Sequence, residues 1–448
     1  MVFHKGGEGL SIQQVMQKIV LQIKDGTHPS DLAELVDELN DEQKKELFAL
    51  LSDEEAALII QEMEDFDQVS LLRLLTKHKA SAILKEMDID DAADLVRELP
   101  PEEAKELLAH IEEEAEEIRG LLKYPEDTAG GIMTTDFIAL PQNILVEEAI
   151  TRLREIAPDA EIIYYVYVVD EQAKLNGVLS LRDLIAAEDG TLLQEIMLKN
   201  VISVPAEMDQ EEVARVVSRY DLLAVPVVDE EERLLGIITV DDIIDVIEEE
   251  ATEDIYRLAG TGEVTGSDLL GASVFGLVGK RLPWLLISLL GGLLSGSVIG
   301  AFEDTLQSIV ILAIFIPVIM GMGGNVGTQS STLFVRGLAT GEIGPSDIWK
   351  YLFREIKVGI TMGLINGLAI AVLAYIWQGL PFLGLAVGMA MFLDITLAAL
   401  IGTLVPLFFN HFGIDPAITA GPFVTTIKDI TGLVIYFGTA TLFMAYLV

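Results

Sequence analysis

The spacing of apolar and polar positions takes four forms along the chain. Over residues 1–130, Leu, Ile and Val recur at helical three-and-four spacing with acids between them. A self-match returns about every 25 residues. Asp31-Leu-Ala-Glu-Leu-Val-Asp-Glu-Leu-Asn40 resembles Ala56-Ala-Leu-Ile-Ile-Gln-Glu-Met-Glu-Asp65 and Ser81-Ala-Ile-Leu-Lys-Glu-Met-Asp-Ile-Asp90. Each block predicts one short helix, and stacked short helices predict a superhelical domain. A second repeat runs over residues 131–250. Gly131-Ile-Met133 pairs with Glu195-Ile-Met197, Tyr165-Val-Tyr-Val-Val-Asp170 with Ala224-Val-Pro-Val-Val-Asp229, and Gly177-Val-Leu-Ser-Leu-Arg-Asp-Leu-Ile185 with Gly236-Ile-Ile-Thr-Val-Asp-Asp-Ile-Ile244. Each copy predicts helix, apolar strand, turn, second strand, helix.

No Gly or Pro interrupts Asp241 to Leu258. On a helix, Asp242, Asp245, Glu249 and Glu253 fall within about 80° of one another. Ile244, Ile247, Ala251, Ile255 and Leu258 lie opposite, so one carboxylate face and one apolar face are expected. From residue 275 the pattern becomes long apolar runs of about 20 residues, enough to cross a bilayer. Five spans are predicted near Leu282–Phe302, Gln307–Leu338 with an interruption, Val358–Trp377, Leu383–Phe409 and Ile418–Val448.

Charge sharpens this division. The 448 residues carry 71 acids and 29 bases. From Phe275 onward there are 8 acids and 7 bases, which leaves 63 acids and 22 bases, a net of −41, in the first 274 residues. An acidic, water-facing part is therefore joined to a near-neutral apolar part. Binding to nucleic acid is excluded, because a phosphate backbone needs a basic face. The absence of Cys excludes disulfides, thiolate metal sites and cysteine nucleophiles. Met1–Leu10 lacks the apolar core of a secretory signal, so the acidic part is expected in the cytoplasm. Lys280 and Arg281 before the first span, and Arg336, Lys350, Arg354 and Lys357 between the second and third, agree by the positive-inside rule. Five spans then place the C-terminus outside.

Two apolar stretches contain chemistry. Pro317-Val-Ile-Met-Gly321-Met-Gly323-Gly324-Asn325-Val-Gly327-Thr328-Gln329-Ser330 predicts a broken helix whose freed backbone groups, with Asn325 and Thr328, line a path; close packing through small residues is the alternative. Gly421-Pro422-Phe-Val-Thr425-Thr426-Ile-Lys428-Asp429 places an ionisable group deep in the last span, which costs several kcal/mol and marks an ion path or a partner. Pairing of Asp429 with Lys428 is not expected, since neighbours on a helix point about 100° apart. Asp394 is a second, weaker candidate. Outside the apolar part, Asp90, Asp91 and Asp94 gather at a helix start, where they either cap the helix or meet a divalent cation. The acidic face of Asp241–Leu258 either meets hard cations or is simply solvated.

The duplicated Gly-h-h-(Ser/Thr)-x-x-Asp pattern resembles a tandem pair of CBS domains. Many such pairs bind adenine nucleotides such as ATP, and the resemblance places Asp183 and Asp242 at a ribose. Taken with Gly323-Gly-Asn325-x-Gly-x-Gln-Ser330 and Gly421-Pro-x-x-Thr-Thr-x-x-Asp429, the order of parts resembles the MgtE family of magnesium transporters. The expected organisation is multidomain: an all-α acidic superhelical N-domain over 1–130, α/β CBS copies over 131–194 and 195–250, a connecting plug helix over 241–267, and a transmembrane domain of five α-helices over 275–448. The resemblance implies an integral membrane homodimer in the lipid bilayer of the cell (inner) membrane, conducting Mg²⁺ along the dimer axis. It implies that Asp429 holds the ion, with Asn325, Gly324 and Thr425 in the pore lining. It further implies that cytoplasmic Mg²⁺ closes the pore by binding among Asp90, Asp94, Asp209, Glu211, Asp221, Asp242, Asp245, Glu250, Glu253, Asp254 and Asp415. Lys428 departs from the family pattern.

Physically, Mg²⁺ gives up water reluctantly, so a selective pore can hold it hydrated through outer-sphere hydrogen bonds. The rival readings are a divalent-cation carrier coupled to H⁺ or Na⁺ and regulated by nucleotide, an anion channel, and a nucleotide sensor without transport. An anion channel needs a positive pore, and the apolar part has few bases. An enzyme is disfavoured because no nucleophile–base pairing stands out among the residues.

Overall fold

The computed structural model describes residues 19, 21–23, 26–111, 114–156, 163–262 and 273–447. The reading of Met1–Leu10 and the end of the connecting segment, 263–267, lie outside the described residues. The chain divides into two compact units, Met1–Ile247 and Glu248–Val448.

In the first unit, one series of helices begins at Pro29, Asp53, Lys77 and Pro101, and a second at Asp41, Asp65, Ile89 and Glu114. Each repeat of about 24 residues therefore holds two helices rather than the single one expected. Each series stacks on its own kind, Asp53–Gln61 against Lys77–Glu86 and Asp65–Leu74 against Ile89–Arg97. The breaks are made by caps. Asn40 and Ser52 close full capping boxes with Gln43 and Glu55, and Thr76 accepts from the Lys79 amide. Leu47, Phe48, Ile59, Ile60, Ile83 and Leu95 fill the core between the series.

The duplicated module forms two three-stranded sheets with matching register. Strand β1 (Ala139–Pro141) runs parallel to β2 (Tyr165–Val169), which pairs antiparallel with β3 (Leu175–Ser180). The second sheet repeats this with β4 (Val204–Pro205), β5 (Ala224–Val228) and β6 (Leu234–Thr239). Even the register shift recurs, after Val168↔Gly177 and after Val227↔Gly236. The two copies exchange their leading segments. Met197 packs where a Cβ on Gly177 would sit, and Met133 does the same at Gly236. Thr134 and Ile237 exchange backbone hydrogen bonds at 2.8 and 3.0 Å, and Val178 and Leu198 do so at 3.0 Å in both directions. Each copy is thus completed by the Ile-Met dipeptide that precedes the other.

Val240–Leu258 is one helix, and the division between units falls within it. Its buried residues are Ile243 and Val246, whereas Ile244, Ile247 and Ile255 are exposed. The expected apolar stripe is therefore not the buried face. The start of the helix is fixed by β6, and this rotates Ile243 and Val246 onto the core.

Among its described residues the second unit contains five helices long and apolar enough to cross a membrane. They are Val274–Ala301, Ile316–Ala339, Ile348–Gln378, Pro381–His411 and Pro422–Leu442. The interruption expected in the second lies elsewhere than predicted. A short 3₁₀ segment, Val310–Ile314, precedes the helix, and the glycines from Gly321 to Gly327 sit inside a continuous helix. Burial among other helices overrides their poor propensity. A Cβ on Gly402 would press on the Gly327 carbonyl, and one on Gly327 would touch Val424 at 3.4 Å. These glycines bring the second, fourth and fifth apolar helices into close approach, the packing alternative.

Candidate functional site

Lys428 lies at the centre of this packing. Its side chain is 1% exposed and that of Asp394 is 2% exposed. The ammonium is 3.8 Å from Asp394 Oδ2 and 3.5 Å from Asp429 Oδ1. It donates to the carbonyl of Ile319 at 3.4 Å and to that of Met320. Four oxygens from three helices thus surround one fixed cation. The expectation that Lys428 and Asp429 cannot pair is corrected. The four-carbon stem is long enough to turn the ammonium back past its own helix, so the angle between neighbouring Cα–Cβ bonds does not decide the matter. A Cβ on Gly323 would strike the Asp394 carboxylate and the end of Lys428, and one on Gly432 would strike Asp394. Glycine at both positions makes room for the pair.

Asp429 differs from Asp394 in one respect. A quarter of its side chain, 25%, remains exposed. It lies about eight residues into its helix, roughly 11 Å along the axis. Thr425, one turn before it, gives its hydroxyl to the Gly421 carbonyl at 3.0 Å. Tyr436, two turns further along the helix, is buried and donates to the Leu312 carbonyl at 2.7 Å, where it anchors the 3₁₀ segment. On the second apolar helix Gly324 has open space at its Cβ position. Asn325, Thr328, Gln329 and Thr332 are exposed and fall within an arc of about 100°. A polar stripe facing outward from an apolar helix is costly against lipid.

The acidic residues are distributed as follows. Asp90 and Asp91 occupy the first turn of Ile89–Arg97, with Asp90 buried. Asp88 is the N-cap, yet its carboxylate takes the Gln61 amide at 2.5 Å, and the same amide reaches Asp91 Oδ2 at 2.6 Å. Asp94 pairs with Arg97. Burial raises Asp91 to about 6 against the Gln61 hydrogen bond, with Asp88 and Asp242 adding to the rise. Burial also raises Asp242 to about 6, opposed by Thr239, whose hydroxyl donates at 2.5 Å and whose amide donates at 3.2 Å. Asp183 holds the equivalent place in the first copy, accepting from the Ser180 hydroxyl at 2.6 Å. Both carboxylates therefore sit at helix starts. Asp209 caps Gln210–Tyr220 through the Glu211 amide, Glu211 pairs with Arg215 at 2.7 Å, and Asp221 ends that helix in the left-handed region. Asp245, Glu250 and Asp254 lie along Val240–Leu258. Within the second unit Arg257 joins Glu253 to Asp415, and Asp415 also caps Pro416–Ala420 through the Ala417 amide at 2.8 Å. Among the described residues, no three His, Asp or Glu side chains of the chain converge in a metal-binding arrangement.

Sequence reasoning missed Glu355. It is buried in the third apolar helix and accepts from the Ser330 hydroxyl at 2.6 Å. Its three basic neighbours, Lys350, Arg354 and Lys357, made the segment read as a loop, whereas Ile348–Gln378 is helical throughout. A buried face shared with Leu352 and Gly359 is the signal that could have revealed it.

Comparison with known proteins agrees with this architecture. Family models match residues 316–439 as a divalent cation transporter domain, 27–127 as an MgtE intracellular N domain, and 129–190 and 193–249 as CBS domains. The chain is 43% identical over 331 residues to the magnesium transporter MgtE of Bacillus subtilis, covering 74% of this chain and 73% of that protein. It is 44% identical over 330 residues to the magnesium transporter MgtE of Thermus thermophilus, covering 73% and 72%. Among solved structures, the soluble part of a magnesium transporter aligns with TM-score 0.50 at 38% identity, covering 54% of this chain and 100% of that one. The cytosolic domain of the Mg²⁺ channel MgtE in complex with ATP aligns with TM-score 0.50 at 41% identity, covering 53% and 98%. With more than two fifths of positions identical over nearly three quarters of these relatives, the chain belongs to the MgtE family.

Proposed function

We propose that the protein admits Mg²⁺ across the membrane as a homodimeric channel, with Asp429 holding the hydrated ion and cytoplasmic Mg²⁺ closing the path. The observation that carries this reading is the carboxylate of Asp429, one quarter exposed, within an apolar helix. Two copies bring two such carboxylates together, and the outward polar stripe of Asn325, Thr328 and Gln329 supports a second copy or water on that face. The exposed Ile244, Ile247 and Ile255 also favour a partner surface. Gly324 and Thr425 leave space and oxygens for the waters that Mg²⁺ retains.

Closure follows from differential binding: the closed state holds more Mg²⁺ than the open state, so rising internal Mg²⁺ shifts the population. Asp90, Asp94, Asp209, Glu211, Asp221, Asp242, Asp245, Glu250, Glu253, Asp254 and Asp415 supply the hard oxygen ligands. The repulsion of a unit with so large a negative charge keeps it apart until cations screen it. An adenine nucleotide, ATP foremost, binds between the CBS copies near Asp183 and Asp242, as the name of the ATP-bound relative suggests. The acidic unit faces the cytoplasm and the C-terminus lies outside. The deciding experiment is Mg²⁺ flux into proteoliposomes against internal Mg²⁺. Wild type conducts and shuts off as internal Mg²⁺ rises, while Asp429→Ala keeps the dimer and loses uptake. Normal uptake by that variant refutes the pore assignment.

A further inference from the structure

We propose that the outer turns of the third apolar helix bind the headgroup of an anionic phospholipid. The helix Ile348–Gln378 has 31 residues, about 46 Å at 1.5 Å per residue. Residues 358–378 carry no charge and by themselves span about 31 Å, the thickness of the hydrocarbon core. Lys357, Arg354 and Lys350 therefore lie within about 12 Å beyond the hydrocarbon edge, in the headgroup layer and just outside it. They occupy an arc of about 60°. Leu352, Glu355 and Gly359 mark the buried face, which is directly opposite, so the three bases point away from the protein.

Among the described residues, none of the three bases has an ion-pair partner. Glu355, the nearest acid in sequence to Arg354 and Lys357, is turned inward to Ser330. In a chain with 71 acids and 29 bases, three adjacent cations without a carboxylate are conspicuous, and their mutual repulsion favours an anion from outside the chain. They line a shallow groove of about 670 Å³ with Phe353, Val358, Thr361 and Met362. The Arg354 fork and two ammonium groups suit phosphate oxygens, and the apolar wall suits the first carbons of an acyl chain. Phe353 and Trp349, 63% and 70% exposed, are aromatic side chains at the interface depth where such rings anchor helices. Cationic head and apolar wall together favour a lipid over a free anion. This site does not depend on which ion the protein carries.

The test uses the purified full-length chain in neutral detergent, reading melting temperature against added ligand. Short-chain phosphatidylglycerol is expected to stabilise it at far lower concentration than short-chain phosphatidylcholine or inorganic phosphate. In Lys350→Gln/Arg354→Gln/Lys357→Gln the half-saturating phosphatidylglycerol concentration rises on the order of a hundredfold, about fivefold per base. Lys105→Gln/Lys123→Gln/Lys199→Gln, with the same charge change in the acidic unit, leaves it unchanged. Equal stabilisation by phosphatidylcholine, equal stabilisation by phosphate, or an unchanged response of the first triple variant overturns the proposal. Should that variant not fold, wild type decides: the phosphatidylglycerol preference falls as salt is raised from about 0.05 to about 0.5 M, and a salt-independent preference overturns the site.

Discussion

The Lys428–Asp394 pair gives the sharpest quantitative test. At an effective dielectric near 20, unit charges 3.8 Å apart attract by roughly 4 kcal/mol. Removing one member of an enclosed pair costs up to about 3–5 kcal/mol, fully so for Lys428→Met, which leaves Asp394 without its cation, and toward the lower end for Asp394→Asn, where the ammonium keeps Asp429. Both Asp394→Asn and Lys428→Met are expected to lower stability within that range, Lys428→Met by more. For a unit of this size, each kcal/mol moves the melting temperature by about 2–4 °C, so the loss is on the order of 10 °C. The double variant Asp394→Asn/Lys428→Met removes both charges and keeps the volume. It is expected near wild type, with a coupling energy of several kcal/mol in the double-mutant cycle. Thermal unfolding in detergent at one scan rate measures all four proteins. Flux supplies a second readout. In Asp394→Asn the ammonium retains Asp429 as its only carboxylate partner and competes there with Mg²⁺, so uptake falls; the double variant frees Asp429 and uptake recovers. Single variants as stable as wild type would falsify the pairing, and a double variant as unstable as the singles would show that shape, not charge, is at stake.

Two further outcomes follow from the same geometry. Asp91 and Asp242 are raised from 3.8 to about 6, so the folded first unit binds more protons than the unfolded chain between about pH 4 and 6, and its stability falls as pH rises through 6. In chelator, the unfolding free energy of wild type is expected to drop between about pH 3.5 and 7 relative to Asp91→Asn/Asp242→Asn by a few kcal/mol, since two pK units correspond to about 3 kcal/mol per group; a pH-independent difference removes the burial argument. Gly323→Ala forces a Cβ into Asp394 and Lys428 and is expected to cost about 1–3 kcal/mol by overpacking, whereas Gly324→Ala meets open space and keeps the melting temperature while altering flux. Equal destabilisation by the two alanines contradicts the close approach at Gly323.

Features governed by spacing along one element were legible in the sequence. The existence of helical repeats, though not their two helices apiece, the duplicated Gly-h-h-(Ser/Thr)-x-x-Asp copies and the five apolar helices follow from periodicity, and the register shift just before Gly177 and just before Gly236 shows how deep the duplication runs. Features governed by packing between elements were not. Glycines at Gly323 and Gly327 read as helix breakers because propensity was weighed without neighbours, yet their value lies in close approach to Asp394, Lys428 and Val424. The reach of the Lys428 stem and the rotation that buries Ile243 rather than Ile244 depend on side-chain length and on the preceding strand. Asp394 read as the lesser acid of the pair because nothing in its own helix reveals that Lys428 comes from another.

The three charges at the centre of the membrane unit bear on how tightly an ion can be held. Asp394, Asp429 and Lys428 sum to −1 in each chain, and the proposed dimer therefore presents −2 along its axis. With an uncharged residue at position 428 the sum is −4, and the attraction for a divalent ion at a given distance doubles. Conduction needs a site strong enough to be entered and weak enough to be left. Lys428 moderates the field of the acid beside it, while Asp394 and the carbonyls of Ile319 and Met320 share the ammonium with Asp429. On this reasoning the Asp394→Asn/Lys428→Met protein also sums to −1 per chain and keeps the wild-type field at Asp429. Lys428→Met alone, if it folds, presents −2 per chain, binds Mg²⁺ more tightly and passes it more slowly; faster flux at lower apparent affinity would mean that Lys428 obstructs the path rather than tuning it.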